Sequence, residues 1–157
     1  MHPNMIWSQF HLKRSTLSLL SLIFMVGTLT PEATFAAPLL RCKIEQSGAT
    51  FIVESSPRLD PYGVAAVAIN KNFRFKAVVI GNQEKVDYVK IYAYDMGKRQ
   101  PILLHEAKYL APLVQTAQAA ELAPFQLTGM HYLYSPDLNR EMQYGCSLIE
   151  SSESAAK

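Results

Sequence analysis

Along Val86–Asp95 apolar and polar positions alternate one by one. Val89, Ile91 and Ala93 fall on one face, and Tyr88, Lys90, Tyr92 and Tyr94 on the other. A period of two predicts a strand with one buried face, the Val89 side, and β-branched and aromatic residues suit a pleated surface. Asp95-Met96-Gly97-Lys98 reads as a turn, because Gly97 accepts a positive φ. Pro101 has no N–H to give to a ladder, so it fits the start of a returning strand, Ile102–Leu110. The apolar residues of that run also fall at helical spacing, and the strand is the preferred of the two readings.

The alternation recurs along the chain. Leu40, Cys42 and Ile44 oppose Arg41, Lys43 and Glu45; Gln46–Ala49 turns the chain, and Thr50–Glu54 returns with Phe51 and Val53 together, a hairpin signal. Ser55–Gly63 is rich in Ser and Pro and reads as a loop. Val64–Ile69 is a short apolar run, punctuated by Asn70-Lys71-Asn72. In Phe73–Ile80, Phe73, Phe75, Ala77 and Val79 oppose Arg74 and Lys76, which predicts an antiparallel meander with the next two strands. Phe125–Tyr134 and Glu141–Ile149 read as the last two strands, joined by a turn at Ser135–Asn139. Met142, Tyr144, Cys146 and Leu148 then share a face. Ala111–Pro124 breaks the pattern, and its Ala, Gln and Leu between two prolines fit a short helix or an ordered loop equally well. The expected fold class is mainly β: an antiparallel β-sandwich or small barrel of about seven or eight strands with one short helix or loop insertion.

The N-terminus changes the picture of compartment. Lys13 and Arg14 precede an uncharged, Leu-rich run over Ser15–Thr30, and small residues follow at Ala33, Thr34, Ala36 and Ala37. This is the layout of a secretory signal peptide, expected over residues 1–36 with cleavage after Ala36. The apolar run falls short of the ~20 residues of a membrane-spanning helix. Arg41 stands where lipid attachment at Cys42 would need a small residue. The expected domain plan is a signal peptide at 1–36, a single β-rich domain at 37–150 and a disordered tail at 151–157. The mature chain is expected to be exported, periplasmic or secreted, with no stable membrane anchor.

Residues 1–36 take with them two of the 15 basic and one of the 13 acidic residues, leaving a net charge of +1. Nearly neutral and without a basic stripe, the mature chain has no electrostatic basis for nucleic-acid binding. Cys42 and Cys146 are its two cysteines, and an oxidising compartment favours their pairing. Their spacing is unlike a Cys-x-x-Cys redox motif. A bridge would close a 104-residue loop, at a chain-entropy gain of about 4–5 kcal/mol. It would also make the first and last strands neighbours, since the two Cα atoms must come within about 7 Å.

Chemistry-bearing motifs are scarce. The sequence offers no catalytic motif, metal-ligand spacing or nucleotide fingerprint, so no catalytic residue, metal ligand or cofactor is assigned. His105 and Glu106 are neighbours on a strand and point to opposite faces, which rules out a dyad. Met96, Met142, Met130, His131 and His105 are soft or borderline ligand types, but only Met130 and His131 are adjacent, and in a strand those two face opposite ways. Asp137, Arg140 and Glu141 read as a solvated charge set at a turn. The candidate binding residues are Tyr88, Lys90, Tyr92 and Tyr94, because tyrosine offers an apolar ring with a polar tip and is enriched at contact surfaces. Tyr132 and Tyr134 are candidates to extend this face. The leading expectation is a small exported domain that binds a protein partner in the cell envelope. The alternative is a small-ligand or metal-binding periplasmic module with His105, Met130 and His131 near its pocket. The third is a hydrolase of envelope polymers using Glu106 and Glu141, as paired carboxylates would.

The exported protein should have the intact mass of Ala37–Lys157 less two hydrogens. A mass that retains residues 1–36, or lacks the two-hydrogen deficit, would overturn the processing or the disulfide.

Overall fold

The computed structural model describes residues 36–97, 100–135 and 139–151. The expected signal peptide, apart from Ala36, lies outside the described residues, as does the expected tail beyond Ser151. Lys98 of the predicted turn and Asp137 of the charge set also lie outside them.

Among the described residues eight strands and one helix follow one another: β1 (Pro38–Gln46), β2 (Ala49–Ser55), β3 (Val67–Ala68), β4 (Phe73–Gly81), β5 (Val86–Asp95), β6 (Ile102–Leu110), α1 (Ala117–Leu122), β7 (Met130–Ser135) and β8 (Arg140–Glu150). They form two four-stranded antiparallel sheets, ordered β2-β1-β8-β7 and β3-β4-β5-β6. The chain is therefore mainly β, in a sandwich-like arrangement. The inner faces are those the alternation assigns. Leu40, Cys42, Ile44, Met142, Tyr144, Cys146 and Leu148 from the first sheet join Phe73, Phe75, Ala77, Val79, Val89, Ile91 and Ala93 from the second in one buried cluster. The Phe75 and Tyr144 rings meet edge to face across it, with centroids 5.1 Å apart, an arrangement aromatic quadrupoles favour.

Local chemistry sets the turns. Ser47 and Gly48, between β1 and β2, both take positive φ (51° and 80°), as a two-residue hairpin loop requires. Between β4 and β5 the Asn82 side chain accepts hydrogen bonds from the N–H groups of Glu84 (2.9 Å) and Lys85 (2.8 Å), an Asx turn. Gly81 is required there, since a Cβ would stand 2.2 Å from the Lys85 carbonyl oxygen. The 102–110 run is a strand, as preferred.

The Cys42–Cys146 disulfide is present, with Cα atoms 4.1 Å apart. The two cysteines are direct partners in the β1–β8 register and both are fully buried. The first and last of the described strands thus lie side by side.

One expectation is corrected. The strand expected over Phe125–Tyr134 begins only at Met130. Phe125 takes a positive φ of 63°, and its carbonyl accepts from Thr128 and Gly129 N–H, closing a turn. Tertiary packing overrides the alternation. The Phe125 ring fills the space above Gly145, where a Cβ would lie 2.4 Å from it. Its N–H donates to Ser147 Oγ at 2.9 Å. The short apolar run Val64–Ile69 contributes Val67–Ala68 as strand. The undecided 111–124 segment is partly each alternative. Gln115 forms a parallel bridge with Ile149, and α1 follows, its first turn capped by the Thr116 hydroxyl, which accepts from Ala119 N–H.

The same segment finishes the edge of β8. β7 pairs with β8 only from Arg140 to Gly145. Beyond that, Thr128 Oγ1 accepts from Cys146 N–H at 2.8 Å. Leu148 C=O and Glu150 N–H bond to Gln115, each at 2.8 Å. Every one of these groups would otherwise be an unpaired ladder site.

Gly145→Ala should cost about 1–3 kcal/mol of unfolding free energy through overpacking against Phe125. Combining it with Phe125→Ala should give a loss smaller than the sum of the two single losses in urea titrations. Additive losses would show that the two residues do not interfere.

Candidate binding surface

β5 presents Tyr88, Lys90, Tyr92 and Tyr94 on the face away from the core, all four half-buried. They are not covered by the opposite sheet. Register with β4 and β6 sets them in four cross-strand rows: Arg74–Tyr94–Leu103, Lys76–Tyr92–Glu106, Val78–Lys90–Lys108 and Ile80–Tyr88–Leu110. The tyrosines half-bury against their neighbours. Tyr92 stacks on Tyr94 at 6.3 Å. Lys76 and Lys90 lie 5.7 and 5.6 Å from the Tyr92 ring centroid, and Lys108 lies 4.5 Å from that of Tyr88. Each such contact contributes about 0.5–1 kcal/mol at an exposed site. Lys90 Nζ donates to Tyr92 Oη (3.2 Å) and to Glu106 Oε1 (3.1 Å). The Tyr92 hydroxyl, and after it Glu106, hold the Lys90 ammonium above its ordinary pKa. Burial raises the Tyr94 phenol. Pro61 and Tyr62 stand beside Val78 in the wall of a cavity of about 280 Å³ on this face, which Lys76, Tyr88, Lys90 and Tyr92 complete.

The rows hold an arginine and three lysines against one glutamate. Composition hid this, because the whole chain is nearly neutral. Arg74 and Lys76 were visible as the outward face of their strand. What could not be read was the register that places them beside the tyrosines.

Other expectations land elsewhere. Tyr132 and Tyr134 are exposed on β7, which belongs to the other sheet, so they do not extend the Tyr88–Tyr94 face. Met142 is core, and Met130 is exposed on the outward side of β7. Glu106 lies in the second sheet and Glu141 in the first, where Glu141 shares a cavity with Glu45 and Gln143. A larger cavity of about 500 Å³ runs between α1 and the outer face of the first sheet, past Ile52, Phe125 and Ile149. Its cations are engaged: Arg41 with Glu54 and Lys43 with Glu45, both at 2.7 Å. No described helix is long and apolar enough to cross a membrane.

The structure does bring two distant histidines together. His105 on β6 and His131 on β7 face each other with ring centroids 4.8 Å apart. Tyr144 stacks on His131 at 5.0 Å and lies 5.9 Å from His105. Burial, and then the neighbouring His131, lower the pKa of His105. Burial, with a smaller contribution from Tyr109, raises that of Tyr144.

The chain matches no protein-family model, no curated protein sequence and no solved structure.

The depressed pKa of His105 makes a pH dependence. Folded His105 takes up a proton less readily than in the unfolded chain, where the value is about 6.5. Below that pH the unfolded state binds more protons, so stability falls as pH drops toward the folded-state value. The urea midpoint should decline from pH 7.5 to 5.5, and less steeply in His105→Phe. Equal slopes for the two proteins would remove His105 as the cause.

Proposed function

We propose that this protein is an exported binding domain whose Tyr88, Lys90, Tyr92 and Tyr94 face takes an acidic segment of a protein partner in the cell envelope. The observation that carries the reading is the cross-strand clustering on one sheet face: three tyrosines interleaved with Arg74, Lys76, Lys90 and Lys108, opposed by Glu106 alone. Rigid aromatic side chains lose little entropy on contact and bury much area. The cations add charge complementarity, which raises the association rate and selects the partner. Export is supported by the buried disulfide, a bond that persists in oxidising compartments, and by the expected signal peptide. The sandwich, closed covalently between its first and last strands, serves as the scaffold. The hydrolase reading has less behind it, because its two named acids lie on different sheets.

Capture of envelope partners on immobilised protein should be lost in the Tyr88→Ser/Tyr92→Ser/Tyr94→Ser variant while the unfolding midpoint stays above the assay temperature. Capture by the native chain should also weaken several-fold between low and physiological salt. Unchanged capture by the triple variant would remove this face as the binding surface.

A further inference from the structure

We propose that His105 and His131 form a site for a divalent transition-metal ion of the imidazole-preferring class, Cu(II) foremost and Zn(II) next. This site is separate from the tyrosine face, since both rings lie on the inward side of their strands. His131 is already oriented as a ligand would be. Its Nε2 lies 3.0 Å from the Thr128 carbonyl oxygen. A carbonyl only accepts, so Nε2 carries the hydrogen and Nδ1 of the neutral ring keeps a lone pair. A ring N–H held by a backbone carbonyl, with the other nitrogen free, is the usual outer support of a metal-bound histidine.

His105 supplies the complementary observation. Its Nε2 is buried and has no hydrogen-bond partner among the described residues. A buried polar atom without a partner is costly and calls for an occupant. An ion between the two rings would satisfy it. Desolvation lowers the pKa of this imidazole and so favours the neutral form, the one that coordinates metal. Tyr144 closes one side of the pair, and its hydroxyl is likewise buried and without a partner among the described residues. That hydroxyl is available to a water carried by the ion. No group of three or more His, Cys, Asp or Glu side chains that could hold a metal occurs among the described residues. The site is therefore a two-nitrogen one with its remaining positions filled by water, and nitrogen ligands bind Cu(II) most tightly among the first-row divalent ions. Because β6 and β7 belong to different sheets, the ion would also link the two layers and raise their stability by mass action.

The test is Cu(II) titration of the full chain, followed by electron paramagnetic resonance for nitrogen hyperfine structure and by the thermal midpoint. One ion per chain is expected, with a raised midpoint. Affinity should fall by about tenfold or more in His105→Phe and in His131→Phe. Zn(II) should reproduce the midpoint shift in the native chain and not in the double variant. His2 and His11 are the internal control: affinity retained in His105→Phe/His131→Phe would assign the ion to them or to the backbone and overturn the proposal. Loss in one single variant but not the other would overturn the pair. If a Phe variant fails to fold, His105→Gln and His131→Gln give the same readout with less change of shape.

Discussion

The pairing of β1 with β8 is the constraint on which the rest depends. It joins residues from opposite ends of the domain, and the Cys42–Cys146 bond makes the join covalent across a sequence separation of 104. A bridge over so long a loop removes much of the unfolded chain's freedom. It matters because a domain of this size has only a modest core with which to offset conformational entropy. With β1 and β8 fixed as central neighbours, β2 and β7 take the flanks of their sheet. The meander β3 to β6, contained between them in sequence, lays its own apolar face against Tyr144 and Leu148.

Much of this was legible in the chain. Alternation along β1, β5 and the first halves of β4 and β8 marked both the strands and their inner faces, whereas the second halves of β4 and β8 are buried on both sides. The two cysteines announced that the ends meet. What alternation could not convey was anything decided by a partner distant in sequence. Phe125–Gly129 carries residues a strand would accept, yet Phe125 is drawn into a turn by the room above Gly145. The cationic character of the tyrosine face was dispersed over three strands and appeared only once their register was known. His105 and His131 are each ligand types by chemistry, but their meeting depends on how the two sheets lie over one another.

Two chemically different places result. On the outer face of the β3–β6 sheet, lysines sit over phenol rings in a shallow, cationic, aromatic surface open to water. Between β6 and β7, two imidazoles and a phenol are largely withdrawn from water, where an unpaired nitrogen is expensive. The first suits reversible contact with a macromolecule. The second suits a compact guest that can satisfy nitrogen lone pairs in a confined space. β6 contributes to both, with Glu106 and Lys108 outward and His105 inward, so an event at one place is one strand away from the other.

The segment that crosses beside β8 carries a consequence for how copies of this chain treat one another. Where β7 stops, Thr128 and Gln115 occupy the hydrogen-bonding positions that a ninth strand would use. A foreign strand arriving there finds its ladder already taken and a helix and a phenylalanine in its path. Crowded copies of this chain are thus denied one route to runaway polymerisation, by a stretch that contributes hardly any strand itself.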